Sequence, residues 1–153
     1  MVILHKLYEF NVPDREMVNI YNLFIRSILE QSCALWHYEI TNEEIDDIER
    51  VQKVACKVIL KERYTNYSSA LESLNLENLE KRREDLCLRF AKKCLKFDKT
   101  RTMFPLNNTD AQSNLRNTEK FKVQFANTSR LLKSAIPQFQ RALNADVNNN
   151  KKK

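Results

Sequence analysis

Glycine is absent from all 153 residues of the chain. At its usual frequency of about 7%, roughly ten would be expected. Without glycine there is no unstrained route to positive φ, so two-residue I′ and II′ hairpins, phosphate-cradling loops and the tight turns of dinucleotide folds are all disfavoured. Only three prolines occur. These facts direct the chain towards helices joined by loops that Asn, Ser and Thr cap. With 42% hydrophobic and 30% charged residues, it has enough apolar side chains for a core. The expected fold is mainly α: a small bundle of about three to four helices with an irregular basic C-terminal extension.

Hydrophobic spacing places the helices. The first runs from about Pro13 to Tyr38, opened by a proline in the first turn with Asp14 and Glu16 behind it. Met17, Ile20, Tyr21, Phe24, Ile25, Ile28 and Leu35 form its apolar face at 3.6-residue spacing, with Trp36 at the edge. The second starts at a capping box, Thr41 with Glu44. Ile45, Ile48, Val51, Ala55, Val58 and Ile59 form its inner face. A short helix over Ser69–Leu74 has the same cap pattern in Ser69 and Glu72, and Asn75 ends it. A long helix follows from Leu79 to Phe97, capped by Asn78, with Leu79, Leu86, Cys87, Phe90, Ala91, Cys94 and Phe97 inward. Arg83 falls inside that apolar arc, where a charge must snorkel or find an ion partner.

Beyond Asp98 the pattern changes. Residues 98–119 are polar and read as a linker. Phe121, Val123 and Phe125 alternate with polar residues, the mark of a short extended segment, and Ser134–Leu143 suits a small helix around Pro137. The layout is therefore a helical bundle over 1–98, a linker with an extended segment and a small helix over 99–144, and an Asn/Lys tail over 145–153 expected to be disordered.

The net charge of +6 is unevenly spread. Residues 1–66 carry 8 basic and 11 acidic side chains, and residues 67–153 carry 18 and 9. A basic half suits a polyanionic partner or a basic tail. Two basic rows fall on helices. Arg50, Lys53, Lys57 and Lys61 lie opposite the apolar face of the second helix, where Asp46 and Glu49 precede Arg50 and Lys53 by four residues and are placed to pair with them. Arg82, Arg89, Lys93 and Lys96 form a row on the long helix with fewer acidic neighbours.

Several chemistries lack their residues. The cysteines, Cys33, Cys56, Cys87 and Cys94, have no CxxC spacing, and only His5 and His37 accompany them. This argues against a zinc site and for reduced, buried thiols in an intracellular protein. The opening MVILHKLYEF is broken by His5 and Lys6 and does not read as a signal peptide. No apolar run reaches 18 residues, so no membrane span is expected. No Gly-rich phosphate loop or Ser-His-Asp set occurs, and no cofactor, metal or small-molecule substrate is expected. The one Asp-Asp pair, Asp46-Asp47, lies in a helix, where neighbours diverge by about 100° and do not converge on one metal pair.

One longer pattern carries a resemblance. Ile20-Tyr21-Asn22-Leu23-Phe24-Ile25-Arg26-Ser27-Ile28-Leu29-Glu30 is followed by Trp36, Ile40-Thr41 and Ile48-Glu49-Arg50-Val51-Gln52-Lys53. Next come Leu74-Asn75-Leu76, Leu79-Glu80-Lys81-Arg82-Arg83 and Phe90-Ala91-Lys92-Lys93-Cys94-Leu95. Phe125-Ala126-Asn127-Thr128, Ser134-Ala135-Ile136-Pro137 and Arg141-Ala142-Leu143-Asn144 close the series. In order and spacing this resembles the region after the palm in jockey-like non-LTR retrotransposon reverse transcriptases, over nearly the whole chain. Two positions depart: Ser27 stands where the family often has proline, and Gln31-Ser32 where it often has Tyr-Gly.

The resemblance implies a thumb-type helical module of an RNA-directed DNA polymerase, without the palm and its paired metal-binding aspartates, and hence not an enzyme by itself. Its partners would be an RNA/DNA template–primer duplex and a palm encoded upstream. The rows Arg82, Arg89, Lys93, Lys96 and Arg50, Lys53, Lys57, Lys61 are then the candidate phosphate contacts. The alternative is a helical protein-interaction module, or an inert fragment, with no nucleic-acid role.

Overall fold

In the computed structural model, which describes residues 2–107 and 119–150, the chain is mostly helical, at 72%. It has more helical segments than the three to four expected. Helix α1 (Val2–Glu9) was not expected; its Leu4 is fully buried. The single helix expected over Pro13–Tyr38 is interrupted. It comprises α2 (Asp14–Ile20), a π-helical stretch (Tyr21–Arg26), α3 (Ser27–Glu30) and α4 (Cys33–Trp36). Next come α5 (Asn42–Leu60), a 3₁₀ turn (Lys61–Arg63), α6 (Tyr67–Ser73) and α7 (Leu79–Cys94). The last elements are α8 (Asp98–Arg101), α9 (Ser129–Lys133) and α10 (Ala135–Asn150).

The lack of glycine shows in how helices end. Asn11 and Asn75 follow α1 and α6 at φ of 54° and 51°. Behind α6, the amide of Leu76 donates to the Leu71 carbonyl (2.8 Å) and that of Asn75 to Glu72 (3.1 Å). Behind α1, Val12 donates to Leu7 (3.2 Å) and Asn11 to Tyr8 (2.9 Å). Both are Schellman closures with asparagine, the residue after glycine that best tolerates the left-handed region. Ser32, at φ 53°, ends α3. Lys61 ends α5 at φ 45° and ψ −117°, a conformation that costs a lysine about 1–3 kcal/mol.

The π-helical stretch corrects the apolar face read for this region. A π turn holds more residues than an α turn. The inward positions therefore recur every four residues: Met17, Tyr21, Ile25, Leu29 and Cys33 are buried or half-buried. Phe24, Ile28 and Leu35, placed inward by a 3.6-residue count, are 61%, 69% and 66% exposed.

The chain divides into two compact units, with the division inside α7 between Arg83 and Glu84. The first holds residues 1–33 and 40–83. Its core gathers Leu4, Met17, Tyr21, Ala55, Cys56, Ile59, Ala70 and Leu74, with Tyr8, Tyr64 and Tyr67 packed against it. Each large apolar side chain buried there contributes roughly 1.5–3 kcal/mol. The Thr41–Glu44 capping box is present in both directions. The cap of α6 is Asn66, whose Oδ1 accepts from the Ser69 amide at 2.8 Å, and not Ser69 as expected. Asn78 caps α7, accepting from the amides of Glu80 (2.8 Å) and Lys81 (3.2 Å). Arg83 is fully buried, as its place in the apolar arc implied.

The second unit holds residues 34–39 and 84–153. Helix α7 stops at Cys94, short of Phe97, and both Phe90 and Phe97 are substantially exposed. Cys87 and Ala91 are fully buried, and Phe104, Phe121, Phe139 and Leu143 nearly so. The extended segment at Phe121 makes an isolated antiparallel bridge to Leu106 and no longer strand. Part of the polar stretch read as a linker forms α8; residues 108–118 lie outside the described residues. The small helix expected over Ser134–Leu143 is α10, more than twice as long as α6 and continuing to Asn150 through two thirds of the stretch expected to be disordered. Residues 151–153 lie outside the described residues. Two side-chain amides, Gln140 and Asn144, fasten the irregular chain to α10. Asn144 accepts from the Phe121 amide and donates to the Phe121 carbonyl, both at 2.9 Å. Gln140 accepts from the Gln124 amide (2.6 Å) and donates to the Met103 carbonyl (2.8 Å).

Candidate nucleic-acid interface

The basic row of the second expected helix lies on α5. Its inner face buries two polar residues that the hydrophobic pattern does not mark, Glu49 and Gln52. Gln52 uses its whole amide. Its oxygen accepts from the Tyr21 hydroxyl (2.7 Å), and its nitrogen donates to the Tyr67 hydroxyl and the Glu77 carbonyl, each at 2.9 Å. The Tyr67 hydroxyl in turn donates to Glu49. Glu49 also accepts from the Leu79 amide at 3.2 Å, placing a carboxylate at the positive N-terminus of α7. Burial pushes the Tyr21 phenol well above its ordinary value. For Tyr67, burial and then the bond to Glu49 do the same, so both remain protonated donors. The Cys56 thiol, raised by burial to about 11, stays neutral.

This network changes what the cations of α5 meet. The expected pairing of Asp46 and Glu49 with Arg50 and Lys53 does not form. Glu49 is turned inward, and Arg50 pairs with Asp47 at 2.8 Å. Lys53, Lys57 and Lys61 are exposed and make no ion pair among the described residues. Each ammonium instead sits over a tyrosine ring: Lys53 over Tyr67 at 5.2 Å, Lys57 over Tyr64 at 5.5 Å and Lys61 over Tyr8 at 3.0 Å from the centroid. The rings come from α1, α6 and the loop before α6, which the sequence alone does not bring to α5. Successive lysines are one turn apart, so Lys53 to Lys61 spans about 12 Å along the axis.

The row on α7 is built differently. Arg82 is three-quarters buried and ion-paired to Glu30, with Glu77 at 3.9 Å from its other nitrogen. Glu30 also lies 3.8 Å from Arg26. The Arg26 guanidinium is held below its ordinary value, first by burial and next by the positive charge of Arg82. Arg82 is thus part of a packed charge cluster. Arg89 is exposed and its Nε donates to the Asp85 carbonyl at 3.4 Å. Lys93 and Lys96 are exposed and make no ion pair among the described residues; Lys96 lies past the end of α7.

No family model, no curated protein and no solved structure matches this chain. Among the described residues, no group of three or more His, Cys, Asp or Glu side chains is placed to hold a metal ion. Asp46 and Asp47 are adjacent on α5, with Asp47 committed to Arg50. No described helix is long and apolar enough to cross a membrane. The α5 face offers exposed lysines on one helix beside tyrosine rings from α1, α6 and the loop before α6, a chemistry that suits recognition of a polyanion.

Proposed function

We propose that the chain is a thumb-like, non-catalytic helical module of a retrotransposon-type RNA-directed DNA polymerase and contacts nucleic-acid phosphates. The observation that carries the contact is the row Lys53, Lys57 and Lys61, three exposed ammonium groups without ion-pair partners among the described residues, the first two one turn apart on α5 and the third at its C-terminal end. The family part rests on the residue pattern from Ile20 to Asn144. It is supported by Ser32, which adopts φ 53° where the family pattern often has glycine. The partner in a polymerase would be a template–primer, and the paired aspartates would belong to a palm outside this chain.

The test is binding of the full chain to an RNA/DNA template–primer with a single-stranded overhang, followed across salt concentration. Affinity from phosphate neutralisation falls with log salt at a slope of about −0.9 per duplex phosphate contacted. The Lys53→Gln, Lys57→Gln, Lys61→Gln triple variant is expected to lose about two units of slope. An unchanged slope in the folded variant removes this reading.

One observation favours the alternative of a protein-interaction module. Leu23, Phe24 and Ile28 are 68%, 61% and 69% exposed on one stretch of the first unit. Large exposed apolar side chains this close in sequence suit a protein contact. A chain that binds no nucleic acid, yet self-associates or binds protein through this patch in a way Phe24→Ser abolishes, would establish it.

A further inference from the structure

Building on the phosphate-contact reading, we infer that the α5 face selects single-stranded nucleic acid over duplex. The decisive feature is interleaving. Phosphate contacts to a duplex require only cations, since stacked bases keep their faces to themselves. Here each of the three lysines is paired with a tyrosine ring, and all three rings are packed against the core and so held in place. A cationic track with aromatic platforms beside it is the arrangement that holds unpaired strands, whose bases are free to stack while phosphates meet the cations.

The lysines occupy the ring faces, so binding is an exchange. An ammonium leaves its ring for a phosphate oxygen, and a base takes its place on the ring. Leaving the ring costs about two- to fivefold in equilibrium constant at an exposed site. Stacking one base returns roughly five- to hundredfold, and the ammonium exchanges a neutral ring for a charged phosphate. A duplex provides the phosphate without the base, so it takes the loss without the return. Lys61 is held over Tyr8 more closely than the other two pairs are, at 3.0 Å. The exchange is therefore easiest at Tyr64 and Tyr67. Tyr67 is anchored through its hydroxyl to Glu49 and Gln52, which fixes its ring. The Tyr64 hydroxyl makes no hydrogen bond among the described residues, so this is the position where the ring can be changed with least disturbance.

The experiment compares fluorescence anisotropy of the full chain with a labelled oligothymidine, a duplex of the same length, and an abasic strand of the same length, at matched salt. The oligothymidine is expected to bind about tenfold more tightly than the duplex or the abasic strand, a ratio set by stacking of one to two bases. Tyr64→Leu is expected to weaken oligothymidine binding about fivefold with no change in salt slope, and Tyr64→Phe, which keeps the ring, to bind as the parent does. The abasic strand makes the same comparison with the unaltered protein, so a poorly folded variant does not decide the outcome. Duplex or abasic strand bound as tightly as oligothymidine overturns the inference and leaves the phosphate reading standing. Absence of binding to any of the three at low salt overturns both.

Discussion

The two units solve one problem, burying polar groups in a helical core, in different ways. In the first, Glu49 and Gln52 of α5 reach other side chains and a helix start, so that α5, α6, the stretch before α7 and the Tyr21 helix meet at one network. In the second, Gln140 and Asn144 of α10 reach only backbone, one helical turn apart, and act as a substitute for a neighbouring strand beside Phe121 and Gln124. The first device couples helices to one another. The second holds a segment with almost no regular structure of its own. Buried hydrogen-bonded amides are costly to lose because each leaves its partners unsatisfied. The two units should thus respond separately, and more strongly where more partners are orphaned.

The largest effect is expected at Gln52. Gln52→Leu keeps the volume and orphans the Tyr21 hydroxyl and the Glu77 carbonyl, at a cost of about 3 kcal/mol. Urea unfolding should show it, and amide exchange should quicken across α5 and α6 while α10 keeps its protection. Faster exchange in α10 to the same degree would break the comparison. Asn144→Ala comes next, at about 2 kcal/mol for the two bonds to Phe121. Its signature is accelerated exchange of the Phe121 amide with α5 unchanged. If Phe121 stays protected, the strand-substitute role is wrong.

Smaller effects sharpen the picture at the helix surfaces. Thr41→Ala removes one side of the capping box and is expected to cost about 1 kcal/mol. Glu44, the other side, is held below the ordinary carboxylate range by its bonds to the Thr41 backbone and hydroxyl. Its folded pKa is the lower one, so its contribution is present above the unfolded pKa and is lost as pH falls through the folded value. Acid titration of α5 N-terminal exchange should show that loss in the parent, and Thr41→Ala should shrink it. Equal acid sensitivity in both would count against the cap. The smallest change is expected for Lys92→Gln. It breaks the 2.8 Å pair with Asp146, but Lys92 is half exposed, so screening leaves about 0.5 kcal/mol or less. A loss beyond 1 kcal/mol would mean that this pair, and not the Asn144 amide, secures α10.

The sequence by itself determined the helical class, because a chain without glycine has few other options. It also determined the Thr41–Glu44 box, the Asn78 cap and the burial of Arg83, which depend on residues close in sequence and on a single helical period. Contacts between distant segments were beyond its reach. The inward face of Met17–Cys33 runs on a period of four because a π-helical stretch intervenes, and no local count of 3.6 anticipates that. The hydrophobic pattern of α5 does not mark Glu49 and Gln52, whose burial depends on Tyr21, Tyr67 and Leu79 closing around them. Lys53, Lys57 and Lys61 read as a salt-bridged solvated face until Glu49 turns inward and three tyrosines from other segments move under their charges. Period and capping are properties of one helix, whereas burial of a carboxylate and the placing of a ring under an ammonium are decided by which segments meet, and only the tertiary structure fixes that.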